Sequence, residues 1–208
     1  MDQSIHKYIL PRLQGYDYSQ AGAYFVTICT EGRKQFFGKM VNGEIKLNNM
    51  GNIVTQAWHE LPNKFSSIRL DEFIIMPNHI HGILWIRPIG DRGPINAINA
   101  IVAAQFIVPV SSSLNGNPMS VTACMDMPLI TGMMNHAATL GNIIRNFKAT
   151  STCLIRKSTH QSFAWQRNYH DRIIRHDAEL NRIRQYIIDN PRCWTNDPEN
   201  DTSRLSNH

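Results

Sequence analysis

Hydrophobic and polar residues alternate along the chain in patterns that predict both strands and helices. Residues 23–30 (AYFVTICT) are rich in β-branched and aromatic side chains and predict a strand. Across residues 49–65, apolar residues recur at helical spacing and predict a helix. Two further strand-like runs cover residues 73–77 and 79–86. Pro77 and Asn78 lie where the runs meet, and this pair of residues favours a turn or bulge. We expect these runs to form a hairpin or one bent edge.

The regular pattern resumes near residue 139. Thr139 is a suitable N-cap, and the residues after it have the apolar spacing of a helix. Residues 163–175 alternate in part and predict a strand with a turn, and a last helix is expected to begin at Asp177 and stop at Pro191. The resulting order is strand, helix, two strands, helix, strand and helix. It predicts an α+β fold, a ferredoxin-like antiparallel sheet with helices on one face, followed by a C-terminal helix.

Residues 87–138 differ in character from the rest of the chain. They contain only four charged residues, are rich in Gly, Pro, Ser and Asn, and include the short repeat INAINAIV. A stretch of this length without periodic structure is typically a functional loop or a disordered insertion. We therefore interpret residues 1–208 as a single domain with a flexible insertion at about 87–138.

The charge of the chain is concentrated in its C-terminal third. The formal net charge is +5, and residues 141–186 carry nine Lys and Arg residues against three acidic residues. One face of the helix predicted after residue 139 carries a basic stripe of Arg145, Lys148, Thr152 and Arg156. Such a stripe is either a solvated helix face or a contact for the phosphate backbone of a nucleic acid, and the sequence leaves both open.

Cysteine usage and hydropathy limit the class of protein further. The four cysteines contain no Cys-x-x-Cys pair, which argues against a zinc framework or a disulfide scaffold, so we expect them to be reduced. The N-terminus lacks the pattern of a secretory signal, and the longest apolar run, residues 97–110, is too short and too polar to span a bilayer. A cytoplasmic protein without a membrane partner is expected.

Two histidines lie one residue apart in an otherwise apolar segment. On a strand, His79 and His81 share a face while Ile80 points to the other, and their backbones lie about 7 Å apart. This spacing allows both imidazoles to bind one divalent ion. A His-x-His pair is also common at ordinary polar positions of half-exposed strands, so the pair alone does not decide.

The last predicted helix supplies further candidates. Tyr186 and Asn190 lie one turn apart along one edge of its apolar stripe, so a phenol and an amide oxygen face the same region. Asn190 could instead close the helix before Pro191, and Tyr186 could be a core aromatic with its hydroxyl at the surface. Two imidazoles, an amide oxygen and a tyrosine are together the groups that metal-assisted attack on a phosphate requires.

These segments resemble a known family, the REP-associated tyrosine transposases, which are relatives of the insertion-sequence-200-like, single-tyrosine HUH transposases that act on single-stranded DNA. The resemblance covers about residues 8–200. It is carried by the HIH pair after IIMPN, the run RLQGYDYSQAGAYFVTICT, the helix LGNIIRNFKA and the segment WQRNYHDRIIRHDAELNRIRQYIIDNP. The combination of the histidine pair with a Y-x-x-x-N-P helix is its most specific part.

The resemblance implies a role for each matching residue. His79 and His81 would bind the metal, Asn190 would complete the metal site, and Tyr186 would be the nucleophile that forms a 5′-phosphotyrosine intermediate. The expected cofactor is Mg²⁺ or Mn²⁺. The expected partner is single-stranded or hairpin DNA formed by repetitive extragenic palindromes, bound by a monomer or homodimer. The predicted DNA-binding residues are Arg145, Lys148, Arg156, Arg167 and Tyr169.

Three alternatives remain open at this point. Tyr169 is a rival nucleophile, although the resemblance assigns that role to Tyr186. A domesticated protein that binds DNA hairpins without cleaving them is a second alternative, against which the presence of His79, His81, Tyr186 and Asn190 argues, since binding alone does not need them. Another HUH nuclease, such as a plasmid replication initiator, would share the chemistry and differ in its substrate. Trp165 is a candidate for base stacking or for the core.

Overall fold

The structure is a computed structural model that describes residues 15–88 and 139–200. Its helices and strands, in chain order, are β1 (Gly22–Cys29), β2 (Gly38–Val41), β3 (Glu44–Leu47), α1 (Asn49–His59), α2 (Leu61–Lys64), β4 (Ile68–Ile75), β5 (His79–Ile86), α3 (Leu140–Thr159), β6 (His170–Ile174) and α4 (Asp177–Asp189). Short 3₁₀ turns follow α4 at Asn190–Asn196 and Pro198–Asn200. Most of the insertion predicted at 87–138 lies outside the described residues.

Four of the strands form one antiparallel sheet with the order β4-β5-β1-β6. Helices α1 and α3 pack on one face, where Trp58 and Phe147 are fully buried. Helix α4 packs on the opposite face through Leu180, Ile183 and Ile187. The predicted α+β, ferredoxin-like plan is confirmed, and its C-terminal helix covers the face that α1 and α3 leave free.

The helix predicted over residues 49–65 is two helices in the structure. Helix α1 ends at His59, and α2 begins at Leu61 with Pro62 in its first turn. A proline lacks the backbone N–H that a continuing helix needs, so the chain turns at this point and starts a new helix. The single-helix prediction was therefore wrong at Glu60, where the two helices meet.

A small hairpin between β1 and α1 was not predicted. Strands β2 and β3 pair antiparallel, and the turn between them is made by Asn42 and Gly43, both with positive φ. An Asn-Gly pair is the usual signal for such a turn, because both residues adopt left-handed conformations at low cost. The signal is present in the sequence, and the neighbouring strands are too short to show clear alternation.

The second half of the sheet agrees with the sequence in part. The N-cap predicted at Thr139 is confirmed, because its hydroxyl accepts a hydrogen bond from the Asn142 N–H at 3.2 Å. The strand predicted over 163–175 is shorter, and only β6 pairs continuously with β1, whereas Trp165 forms an isolated bridge to Thr30. Within the described ranges, no helix has both the length and the apolar composition needed to cross a membrane.

Candidate metal and nucleophile site

The two histidines lie side by side on the face of the sheet that α4 covers. His79 and His81 are fully buried on β5 and stand opposite Cys29 and Thr27 of β1. Because side chains alternate along a strand, Ile80 points to the other face and packs in the core beneath α1 and α3. The expected shared face of the two imidazoles is thus what the structure shows.

A hydrogen bond from the neighbouring residue fixes the proton of His79. The Nδ1 atom of His79 lies 2.8 Å from the carbonyl Oδ1 of Asn78, which can only accept. The amide nitrogen of Asn78 donates to the backbone carbonyls of Arg33 (3.2 Å) and Glu199 (2.7 Å), so the amide cannot flip without losing both bonds. Nδ1 of His79 therefore carries the proton, and in the neutral ring Nε2 presents a lone pair to the site.

The second imidazole meets that lone pair directly. Nε2 of His81 lies 3.1 Å from Nε2 of His79, and Nδ1 of His81 lies 2.8 Å from the hydroxyl of Thr27. Two unprotonated ring nitrogens at this distance would repel each other. This repulsion must therefore be offset in one of two ways. Either Nε2 of His81 carries a proton that it shares with Nε2 of His79, or a cation lies next to both nitrogens.

Tyr186 reaches the same point from α4. Its hydroxyl lies 3.3 Å from Nε2 of His81, and its ring packs edge-on against Phe25. Burial raises the pKa of Tyr186 well above its usual value, and the negative charge of Asp197 raises it further. The phenol is therefore protonated at neutral pH unless a positive charge lies next to it.

Asp197 is a member of this cluster that the sequence reasoning missed. Ligand atoms of His79, His81 and Asp197 all lie within 4.8 Å of one another, and the carboxylate Oδ2 of Asp197 lies 3.9 Å from Nε2 of His79. The backbone N–H of Glu199 donates to the other carboxylate oxygen at 2.7 Å. Asp197 lies between two 3₁₀ turns that have no sequence periodicity, so nothing in the pattern of residues pointed to it.

Asn190, the predicted third ligand, lies beside this cluster and contacts Asp197. It is buried at the end of α4, and its Nδ2 donates to Oδ2 of Asp197 at 2.9 Å. Its carbonyl Oδ1 is buried and has no hydrogen-bond partner in the part of the chain that the structure describes. A buried carbonyl oxygen without a donor is costly, and a nearby cation would satisfy it.

The donor set is suited to a divalent cation. Two imidazole nitrogens 3.1 Å apart have the separation of neighbouring ligands on one ion, since metal–nitrogen bonds are about 2.1 Å long. The carboxylate of Asp197 supplies a negative charge, and the unpaired carbonyl of Asn190 supplies a further oxygen. The buried group of His79, His81 and Asp197 can therefore bind a divalent metal.

The five predicted DNA-binding residues lie together, away from the histidines. A groove of about 690 Å³ between α3 and residues 164–169 is lined by Arg145, Lys148, Arg156, Arg167 and Tyr169. Arg145, Arg156 and Arg167 are exposed, and Arg156 also donates to the carbonyl of Phe163 at 2.9 Å. The groove thus combines positive charge with an aromatic ring.

Lys148 has a structural role in this groove. Its ammonium donates to the carbonyls of Gln166 at 2.8 Å and Asn168 at 2.9 Å, and it lies 5.7 Å from the centre of the Tyr169 ring. These bonds tie residues 166–168 to α3. The ammonium holds one wall of the groove in place.

The two aromatic candidates have different surroundings. Trp165 is buried among Phe37, Phe147 and Phe163, and its indole N–H donates to Ser151, so it is a core residue. Tyr169 is half-buried and packs against the core on the α1 and α3 face of the sheet. Tyr169 thus lies on the face of the sheet opposite to the histidine pair.

Comparisons with known proteins identify a relative in sequence and distant neighbours in structure. No protein-family model matches the chain. An uncharacterized protein of Haemophilus influenzae is 35% identical over 186 residues, which is 89% of this chain and 89% of that protein. A REP-associated tyrosine transposase bound to a REP hairpin has a TM-score of 0.48 and 14% identity, covering 88% of this chain and 73% of its own. A Deinococcus radiodurans protein provisionally assigned as a transposase has a TM-score of 0.41 and 12% identity, covering 86% and 97%.

Proposed function

The chain belongs to one family with the Haemophilus influenzae protein, and we propose that it is a metal-dependent endonuclease and strand transferase of single-stranded DNA. In this proposal its mechanism is that of the REP-associated tyrosine transposases, the family that its sequence resembles. Its substrate is a DNA hairpin formed by a repetitive extragenic palindrome, and its intermediate is a 5′-phosphotyrosine.

The observation that carries the proposal is the distance of 3.3 Å between the hydroxyl of Tyr186 and Nε2 of His81. A phenol at the edge of a buried pair of imidazoles has little value for packing, because three polar groups must be desolvated together. The same arrangement brings a nucleophile next to a cation site, which is what attack on a phosphodiester needs. Stability alone does not account for it.

The cation would be held by His79, His81 and Asp197, with the carbonyl of Asn190 beside them. When bound, it supplies positive charge that offsets the negative phosphate and favours ionisation of the nearby phenol. Asn78 and Thr27 keep the two imidazoles oriented through their Nδ1 atoms. We infer that the ion is Mg²⁺ or Mn²⁺, of which the latter accepts nitrogen ligands more readily.

The chemical step transfers the phosphoryl group from one oxygen to another. The phenolic oxygen of Tyr186 forms a bond to phosphorus, and the bond from phosphorus to the 3′ oxygen of the preceding nucleotide breaks. The phenol loses its proton and the departing 3′ oxygen gains one, so the products are a 5′-phosphotyrosine and a free 3′-OH. In the reverse step the 3′-OH of another DNA end attacks the 5′-phosphotyrosine, and the two DNA ends are joined. No further energy source is needed, because one phosphate ester bond replaces another.

Substrate binding is assigned to the groove beside α3. Arg145, Arg156 and Arg167 would neutralise phosphates, and Tyr169 would stack on an unpaired base. Lys148 supports them by fixing the backbone of residues 166–168. Binding of this kind is largely electrostatic and is therefore weakened by salt.

A covalent-adduct experiment tests the proposal. The protein is incubated with Mn²⁺ or Mg²⁺ and a DNA hairpin that carries a 5′ single-stranded extension, and a protein–DNA adduct that survives denaturation is measured. We expect Tyr186→Phe to abolish the adduct and the matched variant Tyr169→Phe to retain it. Tight hairpin binding by the wild-type protein without any adduct would instead favour a non-cleaving hairpin-binding protein.

A further inference from the structure

The helix that carries Tyr186 is attached to one edge of the sheet by a two-point ion pair. Arg184 donates from Nε to Oδ1 of Asp71 at 2.8 Å and from Nη2 to Oδ2 at 2.6 Å. The indole N–H of Trp85 donates to the same carboxylate at 2.9 Å, and the Asp71 side chain is only 8% exposed. A parallel pair of charged hydrogen bonds fixes direction as well as distance, unlike a single contact.

Asp71 points to the α4 face by the alternation of β4, and a bulge begins at this residue. Leu70 pairs with Leu84 and Phe73 pairs with Gly82, so two residues of β4 lie opposite one residue of β5. Leu70 points to the core beneath α1 and α3, so Asp71, the next residue, points to the α4 face. The extra residue of the bulge returns Phe73 to the core side.

A second ion pair attaches α4 to the other edge of the sheet. Arg172 of β6 donates from Nε to Oε1 of Glu179 at 2.7 Å, and the backbone N–H of Arg175 donates to Oε2 at 3.2 Å. Strands β4 and β6 are the two edges of the four-stranded sheet. Helix α4 is therefore held from both sides, while its apolar residues rest on the strands between.

We propose that Asp71 and Glu179 are positioning residues that fix the rotation of α4 about its own axis and so hold the Tyr186 hydroxyl at Nε2 of His81. Apolar contacts of Leu180, Ile183 and Ile187 are not directional and allow a helix to roll. A roll of about 10° moves an atom at the outer surface of a helix, about 6 Å from its axis, by about 1 Å. A displacement of that size can cost an enzyme about a hundredfold in rate.

The part of this inference that concerns reaction rates rests on the proposed function. Its first test compares variants of two arginines of α4. Arg184→Gln removes the ion pair to Asp71, and Arg182→Gln removes an exposed charge two residues away as a matched control. We expect the rate of adduct formation at saturating DNA to fall at least tenfold in Arg184→Gln and to be unchanged in Arg182→Gln. The affinity for Mn²⁺ is expected to change much less than the rate, because His79, His81 and Asp197 lie outside α4 and only the carbonyl of Asn190 comes from its end. Arg184→Lys, which keeps the charge and loses the two-point geometry, is expected to lie in between.

A spectroscopic measurement tests the position of the ring without relying on activity. The six tyrosines are replaced by 3-fluorotyrosine, and Tyr186→Phe identifies the ¹⁹F resonance of that residue. The rings of Phe25 and His81 near Tyr186 should displace this resonance in the wild-type protein. We expect Arg184→Gln to move it towards the position of a solvated fluorotyrosine and Arg182→Gln to leave it in place.

The two measurements together decide the inference. A slower Arg184→Gln enzyme with an unchanged fluorine resonance would overturn the inference, because Arg184 would then act in some other way. A shifted resonance with an unchanged rate of adduct formation would overturn it as well. If the wild-type protein forms no adduct, the proposed function fails, and the fluorine resonance alone decides whether the ion pair sets the ring. If Arg184→Gln fails to fold, Arg184→Lys takes its place in both measurements, with the same outcomes for and against.

Discussion

Oδ2 of Asp197 lies 3.9 Å from Nε2 of His79, although Asp197 lies in the segment after α4 and His79 in the four-stranded sheet. The hydrogen bond from the Glu199 N–H keeps the carboxylate turned inwards, and Asn190 binds its second oxygen. The cation site is therefore shared between the sheet and the segment that follows α4.

Asp197→Asn should weaken metal binding. Loss of the one carboxylate in the group of His79, His81 and Asp197 removes the negative charge that attracts a cation, so we expect the Mn²⁺ dissociation constant to rise at least tenfold. Isothermal titration calorimetry or Mn²⁺ electron paramagnetic resonance measures this directly. Asp189→Asn is the control, because Asp189 binds Gln185 near the surface of α4. Equal affinities in the two variants would rule out Asp197 as a ligand.

Thr27→Val tests the support of the second imidazole. Valine has nearly the same shape and removes the hydroxyl that lies 2.8 Å from Nδ1 of His81. We expect metal affinity to fall about tenfold to a hundredfold, as for other partners of ligating histidines. The free energy of unfolding without metal should also fall by about 1–3 kcal/mol, because a buried nitrogen loses its partner. Unchanged affinity in a folded variant would show that Thr27 does not orient His81.

The ion pair of Asp71 predicts a pH dependence of stability. Burial raises the pKa of Asp71, but the hydrogen bonds from Arg184 and Trp85 outweigh it and hold the pKa below its usual value. A carboxyl whose pKa is lowered in the folded state stabilises the fold above its unfolded pKa, about 3.9, and loses this contribution as the pH falls through the folded pKa.

We therefore expect Asp71→Asn to lower the free energy of unfolding by about 2 kcal/mol at neutral pH. The difference from the wild type should begin to shrink below about pH 4, where Asp71 of the unfolded chain binds a proton, and it should vanish below the lowered pKa of the folded state, where both forms are uncharged. Chemical denaturation at a series of pH values measures it. A difference that stays constant from pH 7 to pH 3 would show that the charge of Asp71 contributes nothing.

The basic groove predicts a salt dependence of DNA binding. Arg145 and Arg167 are exposed on its walls, and each phosphate they neutralise should contribute about 0.7 to the slope of log affinity against log salt for a single strand. We expect Arg145→Ala and Arg167→Ala each to lower this slope and to weaken hairpin binding, as measured by fluorescence anisotropy. Lys46→Ala, on the exposed surface of β3, is the charge-matched control. A loss of the same size in Lys46→Ala would mean that net charge alone matters.

Periodicity in the sequence was sufficient to predict which site residues share a face of a strand or an edge of a helix. The period of two placed His79 and His81 on one face of a strand, and the helical period placed Tyr186 and Asn190 on one edge of a helix. The structure adds that this strand face and this helix edge meet, with 3.3 Å between Tyr186 and His81. That meeting depends on the packing of α4 against the sheet, which no local pattern encodes.

The residues that sequence reasoning missed lie where regular structure is interrupted. Asp71 lies at a bulge of β4, so the alternation extended back from Phe73 and Ile75 would place it on the core side, whereas it points to the α4 face. Asp197 lies beyond Pro191, in turns without periodicity. Both are charged residues in irregular backbone, and only three-dimensional contacts show that they face the helix and the histidines.

The placement of Asp197 near the end of the described chain has a consequence for biosynthesis. A ribosome releases β5 long before it completes α4 and the turns after it, so a nascent chain exposes its imidazoles with neither the phenol nor the carboxylate in place. Under the proposed function, a nascent chain cannot cut DNA until residues 177–200 have been synthesised and have folded back onto the sheet.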